Sequence, residues 1–379
     1  MESQIRPFRI ETPDDQLLDL TSRLEKTRWP EKETVDDWTQ GVPLIYIMDI
    51  CDYWANSYDW RRCEKRINSF PQFKTTIDGL DIHFLHIKSR HADAFPLLIT
   101  HGWPGSIVEF LKIIEPLTDP IAHGGQADDA FDIVCPSLPG YGYSAKPEQT
   151  GWNVGRIAST WAQLMARLGY ERYGAQGGDW GSGVTSIIGL QDSSHVAGIH
   201  LNMPVVSARS MTTTDITLDE QMALSSLIQR RKWDSGYSKV QATRPQTVGY
   251  GLVDSPAALC AWIIEKFWAW TDCAGHPENA LSRDEMLDNV MLYWLTASGA
   301  SSARLYWEGY YHANTDPIGV ATGCSIFPKE ILRISRRWAS SRFTNIVYWN
   351  ELDRGGHFAA FEQPELFVGE MRNFFALVR

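Results

Sequence analysis

Cysteine is scarce. The 379 residues hold six (Cys51, Cys63, Cys135, Cys260, Cys273 and Cys324) with no Cys-x-x-Cys pair, which points to neither a disulfide framework nor a zinc site. A reduced, cytoplasmic setting is the expectation. Basic residues are in deficit: 35 Lys and Arg against 46 Asp and Glu leave a net charge of -11, so nucleic acid or an anionic membrane would be repelled. Apolar runs stay short of the roughly 20 residues of a spanning helix. Residues 1–15 carry charges and prolines where a signal peptide has an apolar core, so no membrane anchor is expected. No internal repeat or low-complexity stretch occurs, no cofactor or metal motif is visible, and the chain holds no Gly-x-Ser-x-Gly. What remains, 44% hydrophobic and 21% charged, is the composition of a globular protein, compatible with a homo-oligomer and long enough for one large domain or two ordinary ones.

The stretch that is present and organises the rest is Gly-Gly-Asp-Trp-Gly at 177–181. A strand is expected just before it (173–176) and a helix just after (182–190). Small residues two before and two after a central side chain, on a strand-to-helix turn, describe the nucleophile elbow of an α/β-hydrolase fold. The glycines are expected to supply unusual backbone angles. The centre, however, is Asp179 where serine is commonest. A serine attacks a carbonyl carbon. A carboxylate attacks an electrophilic sp3 carbon, displaces an oxygen or halide, and leaves an alkyl ester of itself for water to cleave. The chemistry therefore points to epoxides or alkyl halides, although a Gly-Asp turn can also serve its own backbone alone.

Read in order, residues 1–90 look like an extension preceding the catalytic core and outside its sheet. Helices are expected at 14–26, capped by Thr12 or Asp14, and across 43–68, and a hairpin at 73–87 turning on Asp78-Gly79. From residue 91 to 204 strand, glycine-rich loop and helix alternate: strands at 96–100, 131–135, 173–176 and 196–201, helices at 107–117 and 153–168, the latter capped by Asn153. This rhythm implies a mostly parallel sheet with its ligand site at the carboxyl ends of the strands. Residues 205–315 are helical and dense in aromatics, from Trp233 to Tyr311, as expected of a lid. Core alternation resumes over 316–379 with strands at 320–327 and 345–349 and helices at 328–338 and 358–378. The sixteen tryptophans suit an aromatic-walled cavity or plain core packing.

An α/β-hydrolase requires nucleophile, acid and histidine in that order. His357, in Arg-Gly-Gly-His-Phe at 354–358 after the last strand, is the candidate base. Glu330, on the loop after the preceding strand, is its candidate acid; Asp316 would lie at the wrong end of the sheet, and Asp353 shares the histidine's own loop. An oxyanion formed on Asp179 needs preorganised donors: the backbone N–H of Trp180, directly after the nucleophile, and that of Trp103, in the loop after the 96–100 strand. His101 reads as a turn residue.

Three motifs in order, His-Gly-Trp-Pro-Gly-Ser at 101–106, Gly-Gly-Asp-Trp-Gly at 177–181 and Arg-Gly-Gly-His-Phe at 354–358, resemble the microsomal-type epoxide hydrolases of the α/β-hydrolase superfamily. The Arg28-Trp29-Pro30 region is similar to their N-terminal extension, so the resemblance spans essentially the whole chain. It implies that a small-molecule epoxide is opened to a vicinal diol; the tryptophan-rich lid, separately, suggests a bulky apolar or aromatic one. The resemblance also implies two lid tyrosines that hold the epoxide oxygen. Ser-Gly-Tyr at 235–237 gives Tyr237, and Ser-Ser-Ala-Arg-Leu-Tyr at 301–306 gives Tyr306. The family acid falls on Glu330. Eukaryotic members begin with a membrane-anchoring segment; none is expected here, so membrane attachment is not carried over from the resemblance. An alkyl halide dehalogenase would use the same aspartate, histidine and acid but has no need of two proton-donating tyrosines, and a non-catalytic receptor predicts a broken triad where every position here is filled; both stand as alternatives behind epoxide hydrolysis.

Overall fold

The computed structural model describes residues 4–211, 215–310 and 314–379; Tyr311 lies outside them. The strands are β1 (Arg6–Phe8), β2 (Gln72–Ile77), β3 (Leu80–Ile87), β4 (Phe95–Thr100), β5 (Phe131–Pro136), β6 (Tyr173–Gly177), β7 (Val196–Leu201), β8 (Thr322–Ile326) and β9 (Ile346–Glu351). They form a nine-stranded sheet in the order β1-β2-β3-β5-β4-β6-β7-β8-β9. Every pairing from β5 to β9 is parallel, and β1, β2 and β3 join antiparallel at one side.

This corrects the expectation that residues 1–90 stay outside the sheet. The hairpin forms on Asp78-Gly79, both at positive φ, as a tight two-residue turn requires. Ile82, His83, Phe84 and Leu85 of β3 are then buried in succession, so both faces of the strand are covered. A strand buried on both faces belongs inside a sheet, and β3 lies against β5 through Phe84↔Pro136 to Ile87↔Ile133.

The helices of the first part are α1 (Asp14–Glu25), α2 (Leu44–Asn56), α3 (Trp60–Asn68), α4 (Ile114–Thr118), α5 (Val154–Arg167) and α6 (Asp179–Gln191). Asn153 caps α5 as expected, accepting from the N–H groups of Gly155 and Arg156. Neither expected cap serves α1, whose N-cap is Pro13; Thr12 instead accepts from the Trp60 indole at 2.8 Å. The single helix expected over 107–117 is a 3-10 turn, Ile107–Phe110, followed by α4.

The helices between β7 and β8 are α7 (Leu218–Trp233), α8 (Gly236–Thr243), α9 (Pro245–Asp254), α10 (Pro256–Trp270), α11 (Arg283–Leu295) and α12 (Gly299–Gly309), with no strand among the described residues there. The segment from α2 to α3 is bonded to α11: the Tyr58 hydroxyl and Arg62 both reach Asp288 Oδ1 at 2.7 Å, and the Tyr53 hydroxyl reaches Asp284 at 2.8 Å. Among the described residues no single helix is long and apolar enough to cross a membrane; α9 and α10 reach that composition only as a pair bent by 114°.

Past β8, the helix expected over 328–338 shrinks to α13 (Arg336–Ala339), and 328–335 is irregular. One local and one long-range bond outcompete a helix there: Glu330 Oε1 takes the N–H of Ile331, and the Lys329 N–H goes to the Gly355 carbonyl at 3.1 Å. The closing helix expected over 358–378 is two, α14 (Ala359–Glu362) and α15 (Pro364–Phe375), because a proline at 364 can begin a helix but not sit within one.

Candidate active site

The carboxyl ends of β4, β6 and β7 lie level, with Thr100 opposite Gly177 and Gly177 opposite Leu201. Strand order reverses at β4, the usual place for a site in an open α/β sheet. From Gly177 the chain turns through Gly178 straight into α6, whose first residue is Asp179 at φ +50. Positive φ is costly for a residue with a Cβ and persists where surroundings enforce it. The unusual angle thus falls on the aspartate and not on its glycines. The glycines instead permit close approach: a Cβ on Gly181 would sit 2.0 Å from the Thr100 carbonyl oxygen. Gly181→Ala is expected to cost about 1–3 kcal/mol, as overpacking does, read as a lowered midpoint in urea unfolding.

The Asp179 carboxylate is held from two sides. Its Oδ1 accepts the Trp103 N–H at 2.8 Å, and its Oδ2 lies 3.3 Å from His357 Nε2. The opposite ring nitrogen, Nδ1, is 2.6 Å from Glu330 Oε1. The geometry therefore links Asp179, His357 and Glu330 in one chain of contacts, with the Trp103 N–H on the Asp179 carboxylate. The Trp180 N–H, in the first turn of α6 where intrahelical bonding leaves donors over, makes no recorded bond to that carboxylate. His101 bonds the Gly102 carbonyl and the Leu138 N–H, and burial pushes its pKa down to about 4, so it is a neutral turn residue.

Burial alone would lower the His357 pKa, but Glu330 and Asp179 outweigh it and raise it to about 10. At neutral pH the ring is an imidazolium between two carboxylates. Such a group cannot accept a proton until one of those charges is gone, and converting Asp179 to an ester removes one.

Tyr237 on α8 and Tyr306 on α12 meet beside Asp179, in one cavity with it. Tyr237 stacks on Trp103 at 5.0 Å between centroids, Tyr306 stands edge-on to Trp180 at 4.9 Å, and the two phenols lie 5.9 Å apart. Burial first, and then negative charge nearby, Asp179 included, holds both pKa values well above 10, so both remain neutral donors. With Asp179 they line a cavity of ≈ 390 Å3 whose other walls include Met203, Leu227, Ile331 and Leu332. That size suits a small-molecule ligand.

Several residues here were not found from sequence. Lys266, 3% exposed, pairs with Asp234 at 2.8 Å and places its ammonium 4.3 Å from the Tyr237 ring; Trp270 donates to the same Asp234 and packs on His357. A lysine within the apolar run of α10 was the available signal. Glu109, Gln176 and Asn202 sit behind the nucleophile. For Glu109 the signal was Ser-x-x-Glu at 106–109, a capping box that the structure forms. Among the described residues, no three or more His, Cys, Asp or Glu side chains gather as metal ligands.

Comparison with known proteins agrees with this geometry. Residues 5–110 match the family model for the epoxide hydrolase N terminus, and 96–230 match that for the alpha/beta hydrolase fold. A Stigmatella aurantiaca protein, whose own epoxide hydrolase name is provisional, is 54% identical over 99% of this chain and 86% of its length. Epoxide hydrolase 1 of Sus scrofa is 38% identical over 100% of this chain and 90% of its own. The crystal structure of juvenile hormone epoxide hydrolase from the silkworm Bombyx mori superposes with a TM-score of 0.92 at 31% identity, covering 99% of this chain and 95% of that one. These relatives favour epoxide hydrolysis over halide displacement or a receptor role. The chain belongs to the epoxide hydrolases, enzymes acting on small-molecule epoxides, and carries the α/β-hydrolase fold.

Proposed function

We propose that this enzyme opens its epoxide through a covalent ester on Asp179. The observation that carries this reading is the relay Asp179, His357, Glu330 lying beneath two neutral phenols. Asp179 Oδ1 is occupied by the Trp103 N–H, which leaves Oδ2 to attack the less hindered epoxide carbon. The C–O bond of the ring breaks, and Tyr237 and Tyr306 supply hydrogen bonds and a proton to the departing oxygen. The proton is replaced from the His357 imidazolium, so that the ester and a neutral imidazole appear together. His357, oriented by Glu330, then takes a proton from water, whose oxygen bonds to Cγ of Asp179. The N–H groups of Trp103 and Trp180 hold the oxyanion until the alkyl oxygen leaves as the diol.

Isotope placement tests the covalent route. In 18O water a single turnover is expected to put the label in the Asp179 carboxylate and not in the diol; label in the diol on the first turnover excludes it. The tyrosines are tested separately. Tyr237→Phe and Tyr306→Phe are each expected to slow ring opening by about 10²- to 10³-fold, the effect of losing one donor to a developing oxyanion. In stopped-flow fluorescence the slow step should be ester formation, with ester breakdown little changed.

The finer assignments belong to the same proposal. Residues 205–315 act as the lid over a core of 91–204 and 316–379, with 1–90 as its extension. The apolar walls of the ≈ 390 Å3 cavity suit a bulky apolar or aromatic epoxide. Six buried, unpaired cysteines suit a reduced, cytoplasmic setting, which cell fractionation would test.

A further inference from the structure

Asp179 borders two cavities, and it is the one residue they share. The larger lies under the lid and holds both tyrosines. The smaller contains no residue of the lid; it is enclosed by the ends of β4, β6 and β7, the Ile107–Phe110 turn and the segment beginning at His357. It offers ≈ 20 Å3 for the centres of water molecules, enough for at least one. Its walls are polar where they meet the nucleophile: Asp179, His357, Glu109, Gln176, Asn202 and Thr100.

We propose that this small chamber holds the water consumed in ester hydrolysis, and that Glu109 is a positioning residue that orients it, with the Gln176 carbonyl as a second contact. Four observations carry this. His357 lines the small chamber and not the large one, so a water held there lies beside the base. Gln176, 1% exposed, gives its amide N–H to Asn202 Oδ1 at 2.8 Å and leaves its own Oε1 without a partner among the described residues, as does Thr100 with its Oγ1. A buried carbonyl is rarely left so unless a water meets it. Glu109 makes one side-chain hydrogen bond, Oε1 accepting the Ser106 N–H at 3.1 Å, so its carboxyl retains capacity for another. Finally, the chain makes room for that carboxyl: a Cβ on Gly105 would lie 1.3 Å from Glu109 Oε1.

The state of Glu109 agrees. Burial, against the opposing pull of His357, pushes its pKa up to about 8, so near neutral pH it can hold a proton and donate as well as accept. The step it serves balances. His357 Nε2 takes one proton of the water, the remaining hydroxyl oxygen bonds to Cγ, and the Cγ–O bond to the alkyl group breaks. The alkoxide takes a proton from the imidazolium, and the regenerated carboxyl returns one to His357.

This inference rests on the covalent reading above, and the experiment separates the two. Styrene oxide serves as probe; ester on the Asp179 peptide is followed by quenched-flow mass spectrometry, formation and breakdown apart. Glu109→Leu is expected to form ester within about twofold of the unaltered enzyme but to break it down about 10²-fold more slowly, the cost of a reactant misplaced by about an ångström. Glu109→Gln, which keeps a hydrogen-bonding group, should recover most of that loss. Gln176→Met leaves the capping box untouched and should show the same split, so the test does not depend on Glu109→Leu folding. Breakdown unchanged in both Glu109→Leu and Gln176→Met, or formation and breakdown slowed alike, overturns the chamber. Absence of any ester on Asp179, in the unaltered enzyme included, overturns the covalent route and the chamber with it.

Discussion

Asp179→Asn is expected to lower diol formation by on the order of 10⁴-fold or more, the scale on which removal of a covalent nucleophile acts. The change is nearly isosteric, and asparagine is among the few residues that tolerate positive φ, so the turn at +50 should survive. The side-chain carbonyl can still accept the Trp103 N–H. What is lost is the negative charge, and with it both the attacking oxygen and the partner of His357 at 3.3 Å. A second signal should therefore accompany the loss of activity. Asp179 is one of the two groups that raise the His357 pKa to about 10, so without its charge the titration midpoint should fall. Histidine NMR on the variant reads that midpoint, and diol formation is measured in a preparation checked by mass for reversion to aspartate. Full activity in such a preparation, or a midpoint still near 10, would falsify the assignment.

How much of this was legible in the chain differs by level. The relay was, because each member lies next to a signal that survives in one dimension: the glycines around Asp179, those before His357, and the strand preceding Glu330. The order of these signals sufficed to pair residues 27 to 178 positions apart, as the contacts Glu330–His357 and Asp179–His357 record. The elements around them were less legible. The 328–338 segment has helical composition, yet the bonds that place Glu330 beneath the histidine also prevent the helix. The β2–β3 hairpin was visible, but its membership of the sheet was not, since pairing with β5 is a fact of tertiary burial. Glu109 and Lys266 left signals, a capping box and a charge in an apolar run, but neither signal says that the residue lies at the site, because only the folded chain reveals where these charged groups end.

His357→Gln separates the two halves of the reaction and should leave the enzyme arrested as its ester. The reasoning begins from charge. In the resting state His357 is protonated between Glu330 and Asp179, and this pairing raises its pKa to about 10. Esterification removes the Asp179 charge, so the pKa of the same ring falls and it becomes a base when one is needed. Without the imidazole, breakdown is expected to slow by about 10²- to 10⁴-fold, the range for a general base, while the carboxylate and the two tyrosines needed for ring opening remain. An Asp179 peptide heavier by the mass of the epoxide should accumulate to near one equivalent. The pH dependence has a definite sign in the unaltered enzyme. Breakdown needs the neutral ring, so its rate should fall as pH falls through the midpoint of the esterified enzyme, and that midpoint must lie below about 10 because one of the two raising charges is absent. The variant should lose this dependence. It should also be less stable, because Glu330, buried and with its Oε2 already unpartnered among the described residues, forfeits its cationic neighbour; breaking a buried pair in this way typically costs about 3–5 kcal/mol, and chemical denaturation of the variant measures it. Rapid turnover by His357→Gln with no accumulated ester would place the base elsewhere.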